Sequence, residues 1–177
     1  MANDDFNRAD GNLTAPWGAA TGWAALRVSS NQCGNSAGSD TDSAMRRTDS
    51  TSLRSIFEYR GAAPDGGPAH LDAAGNGYVC ECASGTTVRI YDVTGGPNYH
   101  QIGGDALAAI LPGDIGELRI DGNDIVYYKN SVETFRVTST LFRTGLSPAI
   151  FIFSGTMRID NWNDGAAGDT LFAQVLT

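Results

Sequence analysis

The chain has 177 residues and a formal net charge of −8 at pH 7, and because this length is typical of one domain, we predict a single domain over residues 1–177. Hydrophobic residues make up 41% of the chain, which is enough for a packed core without a metal or a disulfide. Phosphate binding depends on clustered Lys and Arg; since the nearest cluster is the pair Arg46–Arg47, the composition argues against nucleic acid and anionic membrane surfaces as partners.

No segment of the sequence is suited to crossing a membrane. The longest unbroken apolar runs are residues 106–111 and 149–153, far shorter than the roughly 20 residues that a spanning helix needs. Residues 1–20 contain two early aspartates and no basic segment of the kind that begins a secretory signal. We therefore expect synthesis in a cytoplasm and no membrane insertion.

The first patterned segment is DDFNRADGNLTAPW, residues 4–17. Its large apolar residues stand among aspartates, asparagines and glycine and do not repeat at helical spacing. Because Asp and Gly are typical turn residues, we predict a short first strand that ends at Asp10 and Gly11. The polar tract that follows, residues 29–52, predicts a surface excursion with one strand.

The three cysteines are Cys33, Cys80 and Cys82. Cys80 and Cys82 are two residues apart, so on a strand both side chains point to one face. Their spacing fits neither a redox motif nor a zinc site. We expect buried thiols, with a bridge from Cys33 to one of the pair as the alternative.

An alternation of apolar and polar residues recurs along the chain and predicts half-buried antiparallel strands. Four segments show it, each with two inward apolar residues: 87–93 (Val88, Ile90), 117–121 (Leu118, Ile120), 134–138 (Phe135, Val137) and 157–160 (Met157, Ile159). Residues 149–153, AIFIF, lack the alternation. They predict a strand that is covered on both faces.

Turn and helix signals lie between these strands. The sequence DGND, residues 121–124, predicts a tight hairpin, because Asp-Gly and Gly-Asn steps satisfy its geometry. Residues 104–111, GDALAAIL, predict the one short helix, with Asp105 as its cap and Pro112 at its end.

Three segments resemble the concanavalin A-like, or laminin-G-like, jelly-roll domains that are common in bacteriophage virion proteins. DDFNRADG resembles the DxFxRADG start of these domains, residues 111–131 resemble their central hairpin, and RIDNW, residues 158–162, resembles their closing strand. The resemblance implies an all-β antiparallel sandwich in which the first and last strands are adjacent and Phe6 packs inside. The sequence departs from the family pattern at Ser131, where Gly is usual.

The resemblance also implies a function. We expect a structural protein of a bacteriophage virion, exposed as a minor tail protein or a capsid decoration protein, in several copies that contact capsid or tail subunits. The chain has Lys129 as its single lysine beside 11 arginines, a bias that suits a phage of a GC-rich host.

Catalysis is not expected from the sequence, although the family includes glycosidases. Retaining hydrolysis needs two carboxyl groups about 5 Å apart, which this fold usually supplies as ExDxxE. None of the four glutamates, Glu58, Glu81, Glu117 and Glu133, stands in that pattern. The nearest pair, Glu117 with Asp121, is expected on a solvated strand face. No GxSxG nucleophile motif is present either, so a glycoside hydrolase is the remote alternative.

The nearer alternative is a carbohydrate-binding module or adhesin that recognises host surface glycans. Sugar sites combine a flat aromatic ring with planar polar groups. Tyr99 and His100 in PNYHQ, Trp162 between two asparagines, and Tyr59 beside Arg60 fit this description. We name Tyr99, His100 and Trp162 as candidates, with core packing as the alternative role of Trp162.

No cofactor is expected and no metal ligand is assigned. Calcium is the usual ion of the family and takes oxygen ligands from loops. Three pairs have suitable side chains, and the same residues are ordinary in turns: Asp10 with Asn12, Asp40 with Asp42, and Asp160 with Asp164.

Overall fold

The computed structural model describes residues 2–35, 42–61, 64–153 and 155–165. The regular elements in these ranges are all strands: β1 (Asn3–Asp4), β2 (Gly11–Asn12), β3 (Trp17–Ala19), β4 (Leu26–Ser29), β5 (Gln32–Asn35), β6 (Ser43–Arg47), β7 (Arg54–Tyr59), β8 (Gly66–Leu71), β9 (Gly77–Ala83), β10 (Thr87–Val93), β11 (Tyr99–Leu107), β12 (Ile115–Asp121), β13 (Asp124–Lys129), β14 (Val132–Thr138), β15 (Ser147–Ile152) and β16 (Arg158–Asn163). Within the described part of the chain, no helix is long and apolar enough to cross a membrane.

The strands form two antiparallel sheets that pack face to face. A nine-stranded sheet has the order β14-β13-β12-β7-β16-β5-β4-β2, with β1 also paired to β16. A seven-stranded sheet has the order β11-β10-β9-β8-β15-β6-β3. This is the predicted all-β sandwich.

The main core lies between the sheets and is made by the inward residues of the alternating strands. Val88, Ile90, Leu118, Met157 and Ile159 are fully buried, as the alternation predicts. Each such side chain contributes roughly 1.5–3 kcal/mol by leaving water.

The first and last described strands are adjacent, which confirms the arrangement implied by the N-terminal motif. Asn3 pairs with Asn163 and Asp4 pairs with Trp162, and the ring of Phe6 is fully buried. After Asp4 the chain ends its pairing with β16, and it rejoins the same sheet at Gly11, which pairs with Val28 in β4. The first strand therefore ends at Asp4 and not, as predicted, at Asp10 and Gly11, and Gly11 belongs to the next strand.

Residues 104–111 do not form the predicted helix. Residues up to Leu107 belong to β11, which pairs with β10. Asp105 does not act as a cap; its carboxylate accepts two hydrogen bonds from Arg89, each 3.1 Å long. Tertiary strand pairing outweighs the helix propensity of Ala and Leu here, because an isolated helix of two turns is marginal.

Glu117 is not on a solvated face, contrary to the prediction. The residue is only 7% exposed, and its Oε1 lies 2.6 Å from Arg54 Nε and 2.9 Å from Arg119 Nη2. Two guanidinium groups thus cover the outer face of β12 and compensate the buried carboxylate, which would be costly to bury alone. Asp121 is exposed at the end of the strand.

Both tight turns that the sequence indicates are formed. Asp121 pairs with Asp124 across Gly122 and Asn123, which confirms the hairpin. Asn130 and Ser131 connect β13 to β14 with positive φ angles of 50° and 65°, so the turn forms although Ser replaces the usual Gly. The polar tract 29–52 contains β5 and β6 rather than one strand, and its residues 36–41 lie outside the described ranges.

All three cysteines are free and buried, so the bridge considered as an alternative is absent. Cys80 and Cys82 face the main core together, as predicted. Tyr59 is also fully buried there, and its hydroxyl lies 2.9 Å from Cys82 Sγ and 3.3 Å from the hydroxyl of Tyr127. Tyr59 is therefore a core residue and presents no surface to a sugar.

Candidate functional site: a groove on the outer face of the seven-stranded sheet

A second apolar cluster lies on the outer face of the seven-stranded sheet. It includes Trp23, Leu71, Val79, Val93 and Phe151, and it is separate from the core between the sheets. This cluster explains why every residue of β15 is buried: one face of the strand packs in each cluster, as the unbroken apolar run predicts.

A shallow groove is cut into this outer face. Its volume is about 200 Å³ and it is lined by Asp42, Glu81, Tyr91, Tyr99, Phe151 and Phe153. We call it the tyrosine groove. Strand alternation positions three of these side chains: Glu81 points outward between the inward Cys80 and Cys82, Tyr91 points outward after Ile90, and Phe151 points outward after Ile150.

Tyr99 forms the exposed wall of the tyrosine groove, with 38% of the residue accessible to solvent. Its ring packs against three others: Tyr91 at 5.4 Å between centroids, Phe151 at 6.0 Å and Trp23 at 6.1 Å. Edge-on and tilted contacts of this kind stabilise aromatic clusters beyond their buried area. The ring of Tyr99 is therefore held in a fixed orientation.

Trp23 is in turn fixed by a close contact between two loops. Its indole N–H donates to the carbonyl oxygen of Gly75 at 3.4 Å. Gly75 has a φ of +83°, and a Cβ at this position would lie 2.2 Å from the carbonyl oxygen of Thr21. Only glycine allows this conformation and this approach.

The two tyrosine hydroxyls of the groove each donate to a carboxylate. Tyr91 donates to Glu81 Oε2 at 2.8 Å, and Tyr99 donates to Asp42 Oδ1. Burial raises the pKa of Tyr91 to about 12, and the hydrogen bond to Glu81 acts in the same direction. Burial and the bond to Asp42 also raise the pKa of Tyr99. Both hydroxyls therefore keep their protons at neutral pH and hold the carboxylates in place.

Arg89 lies beside the groove and is engaged by a second carboxylate. Its Nη1 is 3.5 Å from Glu81 Oε2, while its Nε and Nη2 donate to Asp105 at 3.1 Å each. Gln101 also donates to Asp105, at 2.8 Å. These contacts direct the guanidinium toward the sheet edge.

The structure separates the candidates Tyr99 and His100. They are successive residues of β11, so their side chains point to opposite faces of the sheet. His100 Nδ1 lies 3.0 Å from Asp92 Oδ2, and its side chain is 75% exposed. The two residues cannot contact the same sugar, and only Tyr99 lines the tyrosine groove.

Trp162 cannot act as the predicted sugar platform, because it is only 1% exposed. Its ring packs edge-on against Trp17 with centroids 4.9 Å apart, and the guanidinium of Arg47 lies 5.1 Å from its centre. Its indole N–H donates to Ser55 Oγ at 3.1 Å. The alternative role in core packing is the one that the structure shows.

The aspartates considered for calcium have partners from the protein itself. Asp10 accepts a hydrogen bond from Ser30 N–H at 2.9 Å, and Asp164 accepts one from Ser50 Oγ at 2.8 Å. Asp160 accepts one from Asn161 N–H at 2.9 Å, and Asp40 lies outside the described residues. Among the described residues, no group of three His, Cys, Asp or Glu side chains is placed to hold a metal ion.

Sequence reasoning missed most of the groove. The sequence did contain a signal for Tyr91 and Glu81. The alternation in residues 87–93 places Tyr91 outward, and the inward pair Cys80 and Cys82 implies that Glu81 between them also points outward. Asp42 and Phe153 come from distant parts of the chain and had no local signal. Only the sheet order brings them beside Tyr99.

No protein-family model and no curated protein matches the sequence. Solved structures do match the fold. The carbohydrate-binding module CBM66 from Bacillus subtilis is 13% identical with a TM-score of 0.57, covering 82% of this chain and 91% of that one. A lichenase derived from a mouse hindgut metagenome is 11% identical with a TM-score of 0.58, covering 91% and 96%. A β-glucanase from Bacillus licheniformis is 11% identical with a TM-score of 0.56, covering 91% and 95%.

These likenesses show the fold. The chain is a concanavalin A-like jelly-roll β-sandwich, as the motifs at its N-terminus, centre and closing strand predict. The structures it resembles include a carbohydrate-binding module and two glucanases built on the same fold.

Proposed function

We propose that this protein is a carbohydrate-binding module that holds a glycan in the tyrosine groove. The observation that carries the proposal is the half-exposed ring of Tyr99, fixed by three neighbouring rings and flanked by the carboxylates of Asp42 and Glu81. Ligand sites of this kind combine apolar walls with a few fixed polar groups that set orientation. The likeness in fold to a carbohydrate-binding module supports it.

The same geometry favours binding over hydrolysis. Glycoside hydrolysis uses two carboxyl groups that flank the scissile bond, one of them as a proton donor. In the groove, each carboxylate already accepts a hydrogen bond from a tyrosine hydroxyl, so one oxygen of each is engaged within the protein. We propose that the protein is not an enzyme. Release of reducing sugar from a polysaccharide panel, abolished by Glu81→Gln, would overturn this part of the proposal.

The binding proposal is tested with Tyr99→Ala and a matched control, Tyr128→Ala. Tyr128 is half-buried on the nine-stranded sheet, where its ring contacts Arg119. In pull-down on bacterial cell walls and insoluble polysaccharides, Tyr99→Ala should weaken binding about tenfold or more, which is about 1.4 kcal/mol. Tyr128→Ala should bind like the parent protein. Equal binding by all three proteins, or none by the parent, would remove the proposal.

The role in a bacteriophage particle stays a prediction and is compatible with glycan binding. Exposed apolar side chains suit contact with other subunits: Leu107 is 89% exposed, and Leu111, Leu141 and Val132 are each more than half exposed. Several copies on one particle would convert weak sugar binding into firm attachment through avidity. Mass spectrometry of purified particles with copy counting tests this role, and absence of the protein from particles would end it.

A further inference from the structure

We infer that the glycan bound in the tyrosine groove carries a free ammonium group, as in a sugar with an unacetylated amine. This inference rests on the proposed function and narrows its ligand. The amine would lie between the carboxylates of Asp42 and Glu81, with the sugar ring against Tyr99.

The side chains that line the groove carry negative charge. Asp42 and Glu81 are both carboxylates, and none of the described residues that line the groove is cationic. Arg89, the guanidinium beside Glu81, makes its two 3.1 Å bonds to Asp105 and is 3.5 Å from Glu81. The groove and its rim therefore hold three carboxylates against one guanidinium, in a protein whose formal net charge is −8. Such a field attracts a cation and repels an acidic sugar.

The groove can accept more hydrogen bonds than it can donate. Tyr91 and Tyr99 use their hydroxyl protons on Glu81 Oε2 and Asp42 Oδ1. The other oxygens, Glu81 Oε1 and Asp42 Oδ2, receive no hydrogen bond from the described residues. An ionised carboxylate only accepts. The groove thus offers free acceptors while its hydroxyl donors are already engaged.

The aromatic walls of the groove also favour a cation. A cation within about 6 Å of an aromatic ring centre is attracted by the negative face of the ring. Four of the six lining residues are aromatic: Tyr91, Tyr99, Phe151 and Phe153. An ammonium group gains from the rings and from the carboxylates together, whereas a neutral hydroxyl group gains mainly from the latter.

The experiment compares three tetrasaccharides of equal length and linkage by calorimetry: one of glucosamine, one of N-acetylglucosamine and one of glucose. At pH 6, well below the pKa of about 8 of an α-amino group, most of the free amines are protonated. We expect the glucosamine chain to bind at least tenfold more tightly than the other two at low salt. This advantage should shrink at 0.5 M salt, because the interaction is between charges.

Two conservative variants and one control separate the possible results. Glu81→Gln and Asp42→Asn should each reduce the preference for the amine, measured as the ratio of the two affinities within the same variant, to within about threefold. Glu133→Gln, an exposed carboxylate on β14, should keep the full preference. Equal affinity of the parent protein for the glucosamine and glucose chains would overturn this inference and leave the proposed function standing. If none of the three chains binds, the proposed function itself loses its support.

Discussion

His70 Nε2 lies 3.1 Å from the carbonyl oxygen of Leu118, and this hydrogen bond connects β8 of one sheet to β12 of the other. His70 is fully buried, and its Nδ1 has no hydrogen-bond partner among the described residues. Burial lowers the pKa of this imidazole to about 4, although Leu118 and the charge of Glu117 act in the opposite direction. The ring therefore stays neutral in the folded protein well below pH 6.

His70 should make the fold sensitive to mild acid. Its pKa is lower in the folded state than the usual 6.5, so the unfolded state binds the proton first as pH falls. The contribution of His70 to the free energy of unfolding is fully present above pH 6.5 and is lost between pH 6.5 and 4. By linkage, the loss at pH 4.5 is about 2–3 kcal/mol. Urea unfolding at pH 7.5 and 4.5 measures it.

The control for this effect is a comparison of two histidines. His70→Gln should remove most of the loss between the two pH values, while His100→Gln, on the exposed edge of β11, should retain it. Asp114 and Asp124 have pKa values held below 3.8 by hydrogen bonds and nearby cations, so their protonation falls below this window. Equal losses in both variants would contradict the prediction.

The cluster of Tyr59, Cys82 and Tyr127 should stabilise the core through its hydrogen bonds. Tyr59→Phe removes the hydroxyl that contacts both partners and leaves them buried without it. An unsatisfied buried group costs about 1–3 kcal/mol, so the free energy of unfolding should fall by that amount. Tyr128→Phe, on the outer face, should change it by less than about 0.5 kcal/mol. A similar effect of both substitutions would argue against the cluster.

Arg47 should not tolerate replacement by lysine. Its guanidinium lies 5.3 Å and 5.1 Å from the ring centres of Trp17 and Trp162, and it forms a two-point bond to Asp49 at 2.8 and 2.9 Å. Lysine has neither the planar group nor the two-point geometry. We expect Arg47→Lys to cost about 1–3 kcal/mol in thermal unfolding, and Arg136→Lys, which is exposed, to cost much less. Equal costs would show that stacking contributes little.

Gly75 should matter for ligand binding although it does not line the groove. Gly75→Ala would bring a methyl group against the backbone of Thr21 and displace Trp23, which supports Tyr99. We expect sugar affinity to fall about fivefold or more, or about 1 kcal/mol. Gly113→Ala is the matched control: its φ is +93°, and its added methyl meets nothing within 4 Å. If the two variants lose the same affinity, Trp23 does not position Tyr99.

The sequence predicted the sandwich because strand alternation is a local signal. Val88, Leu118 and Met157 each sit beside polar neighbours, and this pattern alone places them inside. The predictions that failed concern residues whose structure depends on tertiary contacts. Residues 104–111 have helical composition but pair with β10, and Glu117 is buried because Arg54 reaches it from β7. The groove was missed for the same reason, since Asp42, Glu81 and Phe153 meet only after the strands are ordered.

The pairing of β1 with β16 brings the two described ends of the chain together. Both described ends leave from neighbouring positions in the nine-stranded sheet, while the tyrosine groove opens on the far layer of the sandwich. The two described ends therefore lie close together in the sheet that does not carry the tyrosine groove.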